Sequence, residues 1–309
     1  MKQLFKDHRF QVLLGLLILF ASWWVYLYVS GISPENSLSI FFTSTYGLLA
    51  LLGGVFGLGI AGRWGGLKSQ MGRVLTLFSL GLLSQEFGQI FYTYLYHTST
   101  SLTPSYPSVA DVGFLGSSLF YILALIGLIK LLTKALPRVS KPTTLAIVAG
   151  CALFISASVL LMIRGYIIEG PVTAANILDF SYTLIYAVYL VLASVVIYLS
   201  VGRVGGLMAS RIRVLCFSLI AHFVADYSYV YEASHGLYTS SGINDLFYCL
   251  AFFLVAAAIV WSSPVVIFSE KKPLVPIVES SNLSAGFELN RIFAQIVNRL
   301  PQRLRPSQT

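Results

Sequence analysis

Charge is the scarcest property of this sequence. Only 10% of its 309 residues are Asp, Glu, Lys or Arg, while 57% are apolar and the mean hydropathy is +0.80. A water-soluble globule of this length needs far more polar surface, so a soluble fold is excluded and the lipid bilayer is the expected solvent. Cysteine is almost absent too. Cys151, Cys216 and Cys249 all fall in apolar stretches, where small packing residues are expected rather than disulfide partners or metal ligands. Also missing are a phosphate loop, a Gly-x-Ser-x-Gly elbow and a His-Glu-x-x-His pair. No lysine inside an apolar run suits a retinal Schiff base, since Lys130 stands at the end of its run. No cofactor is expected, and an enzyme is the least supported class.

What is present is a succession of long apolar runs. A helix needs about 20 apolar residues to cross the hydrocarbon core. Runs at approximately 11–30, 37–61, 72–97, 111–133, 143–163, 173–200, 213–235 and 244–267 predict eight spans. They lack the alternation of barrel strands, and a backbone in lipid must satisfy its own hydrogen bonds, so the expected fold is all-α, a polytopic transmembrane helical bundle. The first run could pass for a secretory signal, but it continues from Val12 to Val29 through Trp23 and Trp24 with no small-x-small cleavage site. It is read as a retained span.

The net charge of +8 could suggest a nucleic-acid partner, but the placement of the basic residues argues against one. Lys2, Lys6 and Arg9 precede the first span. Arg63, Lys68 and Arg73 lie in the second connection, and Lys130, Lys134, Arg138 and Lys141 in the fourth. Arg203, Arg211 and Arg213 lie in the sixth, and Lys271, Lys272, Arg291, Arg299, Arg303 and Arg305 in the tail. In an eight-span chain all of these share one face, leaving Arg164 alone on the other. Basic residues near span ends are retained in the cytoplasm, so both termini are expected there, in the cell inner membrane.

An internal duplication accompanies this pattern. Gly62-Arg63-Trp64-Gly65-Gly66-Leu67 is matched by Gly202-Arg203-Val204-Gly205-Gly206-Leu207, and Arg73-Val74-Leu75 by Arg213-Val214-Leu215, at a constant offset of 140 positions. The same offset pairs Tyr46 with Tyr186 and Glu86 with Asp226. After a six-residue difference in loop length, Asp111 pairs with Asp245. The expected organisation is a parallel 4+4 repeat, residues 1–138 and 139–267, related by an axis along the membrane normal, with a cytoplasmic tail over 268–309. In the tail, Leu289, Ile292, Phe293, Ile296, Val297 and Leu300 follow helical spacing from Ser284 onward. That amphipathic helix reads first as lying on the anionic inner leaflet, and second as a dimerisation or partner-docking element. In the second span, Gly53, Gly54, Gly57, Gly59 and Gly62 are read as packing residues.

An ionisable group inside a bilayer costs about 2.5 to 3.5 kcal/mol even on lenient scales, so each needs a partner or a purpose. Glu86 lies roughly 21 Å along the third span from its cytoplasmic start, in the outer third, and the repeat puts Asp226 at equal depth. Asp111 and Asp245 open the fourth and eighth spans, and Asp179 lies about two turns into the sixth. Gln85 and Gln89 flank Glu86, and His222 stands four residues before Asp226, on the same helical face. Arg164 is the candidate counter-ion. The readings of this layer are neutral carboxyls clamping helices, recognition of a ligand, passage of a proton or cation, and a metal site using His222. A bis-histidine haem through His97 and His235 is disfavoured, because no second ring stands opposite either. Tyr92, Tyr94, Tyr96, Tyr227, Tyr229 and Tyr231 are read as interfacial belt residues, with a cage for a cationic ligand as the alternative.

The segment Pro107-Ser108-Val109-Ala110-Asp111-Val112-Gly113-Phe114-Leu115, opening a span after a polar loop, resembles a motif of uncharacterised bacterial multi-pass membrane domains. Those domains sit N-terminal to GGDEF-type diguanylate cyclases and sensor histidine kinases. Similar proteins repeat an acidic residue late in the preceding span, which here is Glu86, and again in the second half, at Asp226 and Asp245. The resemblance implies an input or sensing module. No output domain of that kind follows the eighth predicted span here, so a cytoplasmic signalling partner met through the tail is expected. A homo-oligomer is the other expected association. The leading expectation is a sensor-like or receptor-like membrane protein. A proton- or cation-coupled transporter comes second, and a lipid-modifying membrane enzyme third.

The orientation is checked by cysteine labelling or reporter fusions. The loops around Lys68, Lys134 and Arg211 and the tail should be cytoplasmic, and those around Pro104 and Ser240 external. Any one of the three basic loops on the outside would overturn the eight-span topology.

Overall fold

A computed structural model of the chain describes residues 3–98, 106–135, 150, 173–200, 207–234 and 237–269. Among them every regular element is helical. The helices are α1 (His8–Val29), α2 (Ser37–Thr45), α3 (Leu48–Arg63), α4 (Gln70–Thr98), α5 (Val109–Ala135), α6 (Ala174–Ser200), α7 (Leu207–Ser234), α8 (Ile243–Trp261) and the short α9 (Pro264–Ser269). Seven stretches are long and apolar enough to cross a membrane: His8–Val29, Ser37–Arg63, Gln70–Leu95, Val109–Thr133, Ala174–Ser200, Met208–Tyr229 and Ile243–Trp261. The protein is therefore an all-helical, multi-pass membrane protein. The expected fifth span at 143–163, Arg164 and the expected tail helix from Ser284 lie outside the described residues.

Local chemistry sets the helix ends. Asp7 caps α1, its carboxylate accepting from the Arg9 amide at 2.9 Å while pairing with the Arg9 guanidinium at 2.6 Å. Asn36 caps α2 by accepting from the Leu38 amide at 2.9 Å. The eighth run, drawn from its apolar content to residue 267, stops as a helix at Trp261, because Pro264 has no amide hydrogen and disfavours helical geometry before it.

The second span departs from expectation. Rather than one continuous helix it is interrupted at Tyr46 and Gly47, between α2 and α3. The Thr43 carbonyl, which a continuous helix would bond to the Gly47 amide, instead accepts from Gln89 Nε2 at 3.2 Å. The hydroxyls of Thr43, Ser44 and Thr45 all bond back to carbonyls four residues earlier, at 3.0, 2.7 and 2.7 Å. Such back-bonding bends helices, and a side chain entering the backbone ladder kinks them.

The helices form a closed circuit. α3 packs on α4, α4 on α5, α5 on α6, α6 on α7, α7 on α8, and α8 returns to α3. α1 lies outside that circuit against α8 and α3, and turns Ile18, Leu19, Val25, Tyr26 and Val29 outward, as a lipid-facing helix should. Small residues let backbones approach where lipid supplies no hydrophobic drive. A side chain on Gly113 of α5 would have to occupy the space of the Gly88 backbone on α4. Beside that contact Ser84 Oγ donates to the Gly113 carbonyl at 2.9 Å. Of the five second-span glycines, Gly53, Gly54 and Gly57 meet α4 or α8 closely, whereas Gly59 and Gly62 face open space.

At the other end of α8 the last carbonyls, left without helical partners, are taken by side chains from two other elements. Trp64 Nε1 donates to the Ser262 carbonyl at 2.8 Å. The buried Arg211 donates through Nε to the Trp261 carbonyl at 2.8 Å, its guanidinium 5.1 Å from the Trp261 ring centre. Arg9 reaches the Ser263 hydroxyl at 3.3 Å. A cation is favoured at a helix C-terminus, so Arg211 closes the end of α8.

The Gly88–Gly113 crossing predicts a substitution pair. Gly113→Leu should destabilise the protein by about 1–3 kcal/mol or more through overpacking, whereas Gly62→Ala should leave stability unchanged or slightly improved. Thermal unfolding of the detergent-solubilised protein measures both. Equal behaviour of the two variants would refute close packing at the crossing.

Candidate functional site

A carboxyl group placed among apolar helices must find donors in the protein, since lipid has none. The acids expected in one layer solve this in three ways. Asp226 on α7, 3% exposed, is the best satisfied. Tyr189 of α6 donates its hydroxyl to Oδ2 at 2.8 Å, and Tyr248 of α8 donates to Oδ1 at 3.1 Å. His222, one turn earlier on α7, brings Nε2 to 3.6 Å from Oδ2. The His222 ring is packed among Tyr121, Tyr248 and Phe252, and its Nδ1 has no hydrogen-bond partner among the described residues. The cluster therefore ties α6, α7 and α8 together around one carboxylate.

Asp111 and Asp245 sit in the first turns of α5 and α8, where negative charge complements the helix dipole. Asp111 Oδ2 accepts from the Ser108 amide at 2.6 Å, and the Ala110 amide donates to the Ser108 hydroxyl at 3.3 Å, a reciprocal capping arrangement. Its Oδ1 accepts from Tyr182 of α6 at 2.7 Å. Asp245 accepts from the Ser241 amide at 2.8 Å, and at 3.4 Å from both Thr43 of α2 and Tyr238. Each acid thus caps its own helix and fastens a neighbour. Asp179 is half-buried and accepts from the Tyr106 hydroxyl.

Glu86 has none of this. It is 6% exposed, yet its Oε2 has no hydrogen-bond partner among the described residues. Its carboxyl lies against Gly47, filling the place a Cβ there would occupy, so it abuts the break between α2 and α3. Gln89, the next turn of α4, holds the Thr43 carbonyl at the same break, and Gln85 is buried alongside. Arg164, the expected counter-ion, lies outside the described residues. Among those residues no group of three or more His, Cys, Asp or Glu side chains converges as metal ligands.

The spacing of His222 and Asp226 was enough to place them together. Tyr189, Tyr248, Tyr182, Thr43 and Gly47 were not singled out as site residues. One signal stood in the sequence: Tyr182, Tyr186 and Tyr189 follow the i, i+4, i+7 spacing of one helical face, deep inside a span rather than at a belt. The second was Thr43-Ser44-Thr45 just before Tyr46-Gly47. Of the tyrosines read as a belt, Tyr94, Tyr227 and Tyr231 are exposed, whereas Tyr229 turns inward onto Tyr238, ring centres 5.1 Å apart. No family model, curated protein or solved structure matches the chain.

The Asp226 cluster predicts a graded series. Asp226→Ala should cost about 1–3 kcal/mol by leaving two buried hydroxyls without their acceptor. Asp226→Asn should cost less, because an amide accepts from one tyrosine and donates to the other. Tyr189→Phe combined with Asp226→Ala should be less than additive. Additive losses in unfolding experiments would show that the two side chains act independently.

Proposed function

We propose that this chain is a sensor-like or receptor-like integral membrane protein that recognises a cation, or a ligand presenting a cationic or hydrogen-bonding group, in the polar interior of its bundle. Glu86 carries the reading. A carboxyl so deeply buried, with an oxygen that no described residue satisfies, has a cost that folding alone does not justify. In this reading the protein lies in the cell inner membrane with both termini cytoplasmic, and recognition near the outer face is reported through the cytoplasmic loops or the tail.

The same reading takes the chain as eight spans in two parallel four-span repeats. The helix pairs support it. At the sequence offsets of 140 and 134, the α3–α4 contact corresponds to α6–α7, α4–α5 to α7–α8, and α3–α8 to α6–α5. The bonds between halves follow suit. Tyr182 in the second span of the second half holds Asp111, and Thr43 in the second span of the first half holds Asp245. A polar interior reached from both halves then lies near the pseudo-twofold axis.

A small proton- or cation-coupled transporter is the second reading, favoured by the interruption at Tyr46 and Gly47. Discontinuous helices mark ion and substrate sites in many carriers.

The test uses the protein in liposomes. Its thermal unfolding is followed while monovalent cations, divalent cations and small amines are added in turn. At least one should raise the Tm of the wild type and not that of Glu86→Gln. An occupant at a hundred times its Kd stabilises by about 2.7 kcal/mol, well within detection. A shift retained in Glu86→Gln, or none with any compound or with a change of pH, would overturn recognition at this group. Uptake of the same solute down its gradient would select the transporter.

A further inference from the structure

The two acids that the repeat pairs are not chemically equivalent. Asp226 has three polar partners, Tyr189, His222 and Tyr248. At the offsets of 140 and 134, the positions matching them around Glu86 are Leu49, Leu82 and Phe114. Every donor that satisfies the second-half carboxyl has an apolar counterpart in the first half, and Leu49 and Leu82 are fully buried. Volume has shifted in compensation. Ala187, buried, stands where the first half has Gly47, so in the repeat reading a longer acid paired with glycine corresponds to a shorter acid paired with alanine. The extra methylene of Glu86 carries its carboxyl to the broken backbone of the second span.

The surroundings of Glu86 decide what it could hold. Span two brings Tyr46 and the neutral oxygens of Thr43. α4 itself brings the amides of Gln85 and Gln89. Beside Tyr46 stand the titratable groups Asp245, Cys249 and Tyr248 of α8, Tyr229 of α7, and Tyr238 before α8. From α5 the nearest acid is Asp111, already occupied by Ser108 and Tyr182. None of the ion pairs among the described residues includes Glu86. One carboxylate among neutral oxygens, with no second acid committed to it and no imidazole or thiolate ligand set, suits one positive charge of hard character.

We propose that Glu86, and not Asp226, is the exchangeable group of the interior, taking a single small cation, a proton or an alkali ion, against the break between α2 and α3. This rests on the reading of the interior as a recognition site and names what that site takes. Asp226, its twin by duplication, keeps the structural role of holding three helices together.

Two variants check the geometry first. Gly47→Ala should unfold at lower temperature than the wild type, and adding Glu86→Asp should restore most of the loss, because the pair then copies Ala187 and Asp226. The direct test is labelling of the full-length protein in liposomes with a hydrophobic carbodiimide, which reacts with protonated carboxyls within membranes. It is run at graded pH with and without sodium, and the adduct is located by mass spectrometry. Glu86 should label, and its rate should fall by about tenfold per pH unit once the group titrates. Asp226 should stay unlabelled, and Asp226→Asn should label at Glu86 like the wild type. Slower labelling with sodium at fixed pH identifies an alkali ion as competitor, and no sodium effect identifies the proton as the occupant. Infrared spectra of the same liposomes guard against poor reagent access. They should contain a protonated-carboxyl band that titrates with pH, is lost in Glu86→Gln and persists in Asp226→Asn. Labelling of Asp226 at a comparable rate, or the absence of such a band at Glu86, would overturn the proposal. A Tm shift by an amine that needs Glu86, without that band, would leave the recognition reading standing and remove only the small cation.

Discussion

Hydrocarbon offers no hydrogen bonds, and the arrangement of this bundle follows from that constraint. Asp226 can be buried on α7 only because Tyr189 and Tyr248 approach from α6 and α8 with their hydroxyls directed at its two oxygens. The bond that makes the acid tolerable also fixes the rotation and depth of three helices. Asp111 and Asp245 do the same at the helix starts, where Tyr182 and Thr43 reach across from neighbouring helices. Apolar side chains fill the volume between, but they are interchangeable in a way that directional donors are not.

The opposite end of the bundle meets the same constraint with different groups. The last carbonyls of α8 accept from Trp64 and Arg211, and Arg9 comes in at Ser263, so that residues far apart in the sequence meet where α8 stops. Between these two polar ends the close approaches are made by glycines, above all where Gly88 meets Gly113. The result is a circuit of helices fastened at both ends and tightly packed in the middle. In such a frame a change at one buried polar group is felt by the helices it fastens.

Glu86 differs from Asp111, Asp226 and Asp245, because one of its carboxyl oxygens has no hydrogen-bond partner among the described residues. It shares its depth and its helix position with Asp226 in the repeat reading, yet leucines and a phenylalanine stand at the positions matching the hydroxyls and imidazole that Asp226 meets. A carboxylate held by three partners gives rigidity, whereas one left open can change its occupant.

The class of the protein was legible in the amino-acid sequence because hydrocarbon thickness sets the length of an apolar run, and run length is a local property. Seven of the expected spans appear as apolar helical stretches, the second interrupted at Tyr46 and Gly47 and the eighth ending early at Trp261. The meeting of His222 with Asp226 was legible for the same kind of reason, since four residues make one helical turn. The helix break at Tyr46 was not drawn, although Thr43-Ser44-Thr45 hints at it, because the decisive competitor for the Thr43 carbonyl is Gln89 on another helix. Nor could spacing along one helix show which acids would be satisfied. Tyr189 and Asp226, Tyr182 and Asp111, and Thr43 and Asp245 lie 37, 71 and 202 residues apart. Tertiary packing alone decided that Asp226 would be surrounded by donors and Glu86 by a glycine, because only the choice of neighbouring helices determines which side chains a buried carboxyl can reach.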